Sequence, residues 1–206
     1  MSDLIATFVF FFAVIDPIGT VPVFIAVTSR FDKQTKKKIA LQAALVSAAV
    51  LMFFLVAGEI ILTSIGIPLS AFQIAGGIVL FLFALSMIFG ESKPEEEVKL
   101  VRRGMETAIF PLAVPSIASP GAMLAAVLLT ENSRHSIAEQ AVIAVVMLSV
   151  LVVTWLLMNA STMIYRFIGD SGASIISRVM GLILSSVAVT SVLAGIRDYF
   201  GLVVPT

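Results

Sequence analysis

The chain has 206 residues, of which 59% are hydrophobic and only 13% are charged, and its mean hydropathy is +1.10. A core of this size could not hide so many apolar side chains from water, so lipid must cover much of the surface. The zero formal net charge gives no basic field for nucleic acid, and the absence of cysteine excludes disulfides, thiol catalysis and thiolate metal sites.

The apolar runs predict an all-α integral membrane protein with about six transmembrane helices. The first run has no preceding basic segment, which indicates a retained span rather than a signal peptide. The run at 137–158 is apolar on every face, unlike the alternating strands of a membrane β-barrel. The predicted spans are 4–29, 39–64, 69–90, 107–130, 138–164 and 174–197.

Basic residues are unevenly divided between the two predicted membrane faces. They cluster at 30–38 and 93–103, with Arg166 and Arg178 near the same face, whereas Arg134 and Arg197 are alone on the other. Because cytoplasmic connections carry the excess of lysine and arginine, this pattern predicts that both termini lie outside. We expect a multi-pass protein of a bacterial-type plasma (inner) membrane.

The two halves of the chain share a weak internal similarity. A shift of 104 residues superposes 77–80 on 181–184, and a shift of 103 matches Pro17 with Pro120. An odd number of spans in each half makes the second half enter the membrane from the opposite side, as in many secondary transporters. The prediction is one membrane domain, with a three-helix repeat at 1–90, a cytoplasmic linker at 91–106 and an inverted three-helix repeat at 107–206. Ser92 and Glu95 predict a capping box that starts a short surface helix in the linker.

The first span of each predicted repeat contains helix breakers. Residues 16–22 place an acid, two prolines and a glycine in the first span, and Pro111, Pro115 and 119–121 interrupt the fourth. Interrupted helices free backbone groups that hydrocarbon cannot satisfy, and their new N-termini attract anionic groups. Paired breaks of this kind indicate a transporter binding site. The predicted substrate-binding residues are Asp16, Pro17, Ile18, Gly19, Thr20, Pro115, Ser116, Ser119, Pro120 and Gly121.

Two acids are candidates for coupling or gating. Asp16 lies near the middle of the first span, where an acid costs at least about 2.5–3.5 kcal/mol on insertion scales. It is predicted to contact a substrate ammonium, a coupling cation or a transported proton, and it is also suited to capping a half-helix that begins at Pro17. Glu59 is predicted to be an interfacial acid at the outer end of the second span, with an outer gate or proton relay as the alternative.

Three motifs in order along the chain resemble the MarC/SnatA family. They are Asp16-Pro17-Ile18-Gly19-x-x-Pro22-Val23-Phe24, the segment 71–81 with its Gly76-Gly77 pair, and Phe110-Pro111-Leu112-Ala113-Val114-Pro115 followed by Pro120-Gly121-Ala122. The resemblance implies a six-span protein of inverted repeats that transports small neutral amino acids such as glycine and alanine, driven by a cation. Ser119 stands where members of the family often carry glycine, which leaves the choice of substrate open.

The prediction is therefore a secondary transporter of small neutral amino acids that works by alternating access, coupled to H⁺ or Na⁺. Its partners would be the substrate and membrane lipid, and a homo-oligomer is compatible with the sequence. Neither a cofactor nor a metal site is expected, since His135 is the single histidine. The alternatives are a channel or exporter for another small polar solute and a non-transporting assembly subunit. An intramembrane enzyme is disfavoured, because Asp16 and Glu59 lie at different predicted depths.

Overall fold

The computed structural model describes residues 2–89, 112–132 and 135–202, and this part of the chain is helical with short connections and no strand. An all-α membrane fold is thereby confirmed. Five of its helices are long and apolar enough to cross a membrane. The elements are α1 (Ser2–Ile15), α2 (Pro17–Thr28), α3 (Lys33–Ser64), α4 (Leu69–Phe89), the π-helix π1 (Leu112–Ile117), α5 (Pro120–Leu128), α6 (Ile137–Asn159) and α7 (Ser161–Phe200).

The first span consists of α1 and α2, which together cover Leu4–Thr28. The break between them is the single residue Asp16, which caps α2, and Pro17 follows at the first helical position. Pro22 lies inside α2, where it removes one hydrogen-bond donor without ending the helix.

Helix α3 begins at Lys33, six residues before the apolar run that predicted it. Asp32 caps its first turn and accepts a hydrogen bond from the N–H of Gln34 at 3.0 Å and another from the hydroxyl of Thr35. The bond from Thr35, followed by that from Gln34, lowers the pKa of Asp32 below its ordinary value. The lysines that follow are therefore helical, although they are too polar for the hydrocarbon.

The fifth and sixth spans also differ slightly from their predicted bounds. Helix α6 ends at Asn159 rather than at 164, because the chain turns at Ala160 and α7 starts immediately afterwards. Gly169 interrupts α7 with φ 62° and ψ −178°, a conformation that is essentially restricted to glycine. The membrane-spanning stretch after it is Ser174–Phe200, close to the predicted 174–197.

Helices α4 and α7 pack antiparallel with their backbones close together. A Cβ atom on Gly77 would lie 2.7 Å from Val192 Cγ2 and 3.1 Å from the carbonyl oxygen of Ala188. Across the same interface, a Cβ atom on Gly181 would lie 2.9 Å from Ile88 Cγ1 and 3.0 Å from the carbonyl oxygen of Ala84. A shift of 104 residues converts either set of contacts into the other. These reciprocal contacts are what a two-fold axis between the third spans of two repeats would produce.

The outside of the bundle is apolar, as lipid requires. Side chains more than half exposed include those of Leu45, Val56, Leu82, Val145 and Leu193. The predicted linker at 91–106, including Ser92 and Glu95, and Pro111 in the fourth span lie outside the described residues. The division into two halves therefore stays a prediction, which the contacts between α4 and α7 favour.

Candidate functional site

The two helix breaks meet in the middle of the bundle. The hydroxyl of Ser119, at the second break, donates a hydrogen bond to the carbonyl oxygen of Val14 at 2.8 Å, just before the first break. On either side of this point π1 packs against α2, and α5 packs against α1. The second broken span thus runs antiparallel to the first, so α2 and α5 both begin at this point and extend in opposite directions.

At the first break, Asp16 supplies the cap of α2. Its backbone has φ 52° and ψ 66°, in the left-handed region that Asp and Asn tolerate better than most residues. Its Oδ1 accepts a hydrogen bond from the N–H of Gly19 at 2.9 Å, and its carbonyl oxygen accepts one from the Thr20 hydroxyl at 3.0 Å. The Asp16 side chain is only 1% exposed, so its carboxylate lies in the protein interior.

Gly19 is needed because the Asp16 carboxylate folds back over it. A Cβ atom at position 19 would lie 2.1 Å from Oδ2 of Asp16 and 2.7 Å from its Cγ. No side chain fits at such a separation, so any residue other than glycine would displace the carboxylate. The motif Asp16-Pro17-Ile18-Gly19 thus encodes one structural unit, in which the acid, the start of the helix and the space for the carboxylate depend on one another.

The second break is built differently, around a short π-helix. Within π1, Val114 is extended with φ −136° and ψ 122°. The carbonyl oxygen of Ala113 accepts a hydrogen bond from the N–H of Ala118 at 2.9 Å and another from the hydroxyl of Ser47 at 3.1 Å. Ser47 is fully buried on α3, and the sequence analysis did not select it. In the sequence, Ser47 is marked only as a hydroxyl among the small residues of the second span. Its hydroxyl satisfies the backbone carbonyl group of Ala113 at the break.

Ser119 caps α5 in the way that Asp16 caps α2. Its hydroxyl oxygen accepts a hydrogen bond from the N–H of Ala122 at 3.1 Å, and its carbonyl oxygen accepts one from Met123 at 2.9 Å. The shift of 103 residues that matches Pro17 with Pro120 also matches these two caps, and both bind the N–H three residues later. The difference is chemical, since one cap is an acid and the other a neutral hydroxyl.

The electrostatics of the site follow from these two helix starts. Each N-terminus carries about half a positive charge, and the N–H groups of Ile18 and Gly121 in the first turns have no partner within their own helices. The C-terminal ends of α1 and π1 lie at the same breaks and carry partial charge of the opposite sign, so the Asp16 side chain acts locally, as the cap of α2. The buried acid therefore has a structural reason to be where it is, independent of any ligand.

The remaining predicted site residues surround the same point to different degrees. Pro17, Gly19, Thr20, Ser116 and Gly121 are buried, Ile18 and Pro115 are half-buried, and Pro120 is exposed. The structure thus brings the predicted residues of both breaks together. Their role in binding a substrate stays a prediction.

Glu59 lies away from the two helix breaks. Its Oε2 accepts a hydrogen bond from the backbone N–H of Asn132 at 2.8 Å, beyond the C-terminal end of α5. The nine residues of α5 separate that end from the break, which corresponds to about 14 Å of helix. The nearby Thr130 hydroxyl also contacts α3, at the carbonyl oxygen of Leu55, 3.2 Å away. Glu59 therefore ties α3 to the segment after α5 and does not approach Asp16.

Comparisons with known proteins give one consistent result. Residues 1–200 match the family model described as MarC family integral membrane protein. A UPF0056 membrane protein of Methanocaldococcus jannaschii is 35% identical over 200 residues, which are 96% of this chain and 97% of that protein. The UPF0056 membrane protein YvbG of Bacillus subtilis is 32% identical over 205 residues, which are 97% of this chain and 96% of that protein. No solved structure matches the chain.

Proposed function

This chain belongs to the MarC family of integral membrane proteins, and from that premise we propose that it is a secondary transporter of small neutral amino acids such as glycine and alanine. The observation that carries the proposal is the meeting of two half-helix N-termini at one buried point, where one is capped by an acid and the other by a hydroxyl. The family resemblance supplies the substrate class, and the geometry supplies the chemical reason for it.

The two caps are complementary to the two ends of a zwitterion. The carboxylate of Asp16 already occupies the N-terminus of α2 and holds the N–H of Gly19, so it suits the substrate's ammonium group. The N-terminus of α5 has only the neutral Ser119 hydroxyl as its cap. A substrate carboxylate would replace that hydroxyl at the N–H groups of Gly121 and Ala122, which a helix N-terminus favours.

The charge balance favours a neutral substrate. A zwitterion adds no net charge to the site, because its ammonium and carboxylate groups cancel. A net anion or cation would bring an uncompensated charge into a site where Asp16 and Ser119 are each only 1% exposed. Small side chains are favoured as well, because Leu80 and Val14 already pack close to the second break.

Alternating access accounts for the burial of this site. Asp16 and Ser119 are each only 1% exposed, and rocking of one half against the other would open the site to each side in turn. Movement of H⁺ or Na⁺ with the substrate would supply the driving force, with Asp16 as the coupling acid and Glu59 as an outer contact that opens and closes. In this proposal the protein lies in the inner membrane with both termini outside.

The test is uptake of labelled glycine and alanine by purified protein reconstituted in vesicles, with proton and sodium gradients imposed separately. We expect saturable uptake that follows one of the two gradients. Vesicles without protein are the control for leakage. Uptake that rises linearly with concentration would indicate a pore instead, and no uptake of either amino acid under both gradients would contradict the proposal.

A further inference from the structure

A cavity of about 400 Å³ lies at the end of the bundle where α2 ends, α3 begins and α6 joins α7. We call it the lysine cavity, because Lys33, Lys36 and Lys37 line one wall. Ser161 and Thr162, in the first turn of α7, also line it. Among the described residues, the lining contains no acid.

The three lysines are arranged unfavourably for an empty cavity. Their spacing places them on one face of the first turns of α3, where like charges repel. They also lie at the positive end of the α3 dipole. Among the described residues, none of the three ammonium groups forms an ion pair. The nearest acid in sequence, Asp32, is engaged with Gln34 and Thr35 as the helix cap.

The start of α7 also lines the cavity. Helix α7 begins there at Ser161, and no side chain in the described part of the chain caps it. The N–H groups of Met163 and Ile164 bond to the carbonyl oxygen of Ala160, and the end of α6 at Asn159 offsets the partial charge of this helix start. Three cations and two residues with hydroxyl groups therefore line one space. That set of donors suits an anion with several acceptor oxygens, such as a phosphate group.

The cavity lies at the depth of the lipid headgroups in the membrane. Helix α3 has 32 residues, which correspond to about 48 Å, whereas the hydrocarbon layer is about 30 Å thick. The polar first turns, 33–38, must therefore project into the headgroup layer. Beside the lysines, Phe24 and Met158 are buried, while Phe31 is 46% and Met163 is 62% exposed. The rim is thus apolar, as contact with acyl chains requires.

We propose that the lysine cavity binds the phosphate headgroup of an anionic phospholipid. The ammonium groups of Lys33, Lys36 and Lys37 and the hydroxyls of Ser161 and Thr162 hold the phosphate, and Phe31 and Met163 contact the acyl chains. The bound lipid joins α3 to α7, and therefore bridges the two predicted halves. This inference does not depend on the proposed transport activity.

The experiment compares phosphatidylglycerol with phosphatidylcholine on the purified full-length protein, using native mass spectrometry for retained lipid and the thermal midpoint for stabilisation. The test variant is K36Q/K37Q. The matched control is R30Q/K38Q, which removes two charges from the same segment but none from the lining. We expect K36Q/K37Q to weaken phosphatidylglycerol retention about 25-fold, since each lysine at an anionic surface contributes about fivefold. R30Q/K38Q should lose clearly less, because neither side chain lines the cavity.

Without added lipid, K36Q/K37Q should be no less stable than the unsubstituted protein, because it removes repulsion between the lysine side chains. This comparison separates loss of lipid binding from misfolding. Addition of inorganic phosphate distinguishes the source of the anion. We expect it neither to displace phosphatidylglycerol nor to stabilise the protein. Stabilisation by phosphate alone, equal retention of both lipids, or equal losses in the two double variants would overturn the proposal.

Discussion

The hydroxyl of Ser119 lies 2.8 Å from the carbonyl oxygen of Val14 and donates a hydrogen bond to it, although 105 residues separate the two in sequence. This bond joins the end of α1 to the start of α5, so it fixes the two helix breaks against each other. Because the same hydroxyl caps α5 through Ala122, displacement of the cap by a ligand would also release the contact between the breaks. In the proposed mechanism, this would link substrate binding and movement at one side chain.

Replacing Asp16 by Asn separates charge from capping. Asn caps helices about as well as Asp and tolerates the left-handed backbone of this position, so Asp16→Asn should fold normally. Glycine uptake should nevertheless fall at least about tenfold, because hydrogen bonds to a charged group contribute about 1.5–3 kcal/mol. The measurement is uptake at substrate concentrations below half-saturation, together with the elution profile in detergent. Unchanged uptake and unchanged ion dependence in Asp16→Asn would exclude Asp16 as the coupling acid.

Replacing Gly19 by Ala should destabilise the protein more than replacing Gly121. The new methyl group at position 19 would lie 2.1 Å from the Asp16 carboxylate, which must then leave its capping position. Loss of a cap and overpacking each contribute about 1–2 kcal/mol. In Gly121→Ala the nearest atom, at 2.5 Å, is the end of the flexible Leu80 side chain. Thermal midpoints in detergent test this order, and equal midpoints would show that the carboxylate is not held over Gly19.

Alanine at Gly77 and alanine at Gly181 should have similar effects. Each new Cβ atom would meet a branched side chain of the facing helix within 3.0 Å and a carbonyl oxygen within about 3.1 Å. We expect a loss of about 1–3 kcal/mol for either substitution. Ala75→Leu, at an exposed position of the same helix α4, is the control and should change stability by less than about 0.5 kcal/mol. A large effect at only one glycine would argue against reciprocal packing of α4 and α7.

The orientation can be tested with single cysteines, because the chain contains none. Asn132→Cys lies beyond α5 at the predicted outer face, and Lys38→Cys lies at the predicted cytoplasmic face; both positions are exposed. A membrane-impermeant maleimide should label Asn132→Cys in intact cells. Lys38→Cys should be labelled only after permeabilisation. The reverse pattern would place both termini inside.

The sequence predicts five of the six spans well because hydropathy determines them, whereas part of the fourth, 107–111, lies outside the described residues. It fails where polar residues continue a helix. The start of α3 at Lys33 was missed, since capping by Asp32 rather than apolarity decides where that helix begins. The end of α6 at Asn159 was missed because Met163 and Ile164 prolong the apolar run without prolonging the helix.

The candidate site was predictable in its residues but not in its contacts. Prolines, glycines and Asp16 identify the breaks, because few residue types tolerate those backbones. The partners are largely backbone atoms, such as the carbonyl oxygens of Val14 and Ala113. Backbone atoms leave no trace in residue identity, so only the fold shows that Ser119 and Ser47 serve them.

The interface between α4 and α7 has a further consequence. Gly77 contacts Ala188 and Val192, while Gly181 contacts their counterparts Ala84 and Ile88. Such an exchange of partners is the isologous arrangement of a symmetric dimer. Two separate copies of a three-helix protein, related by a two-fold axis, would form this interface equally well. The two halves can be co-expressed as separate polypeptides, with the chain divided between residues 90 and 111. They should then assemble through the interface at Gly77 and Gly181 without a covalent connection.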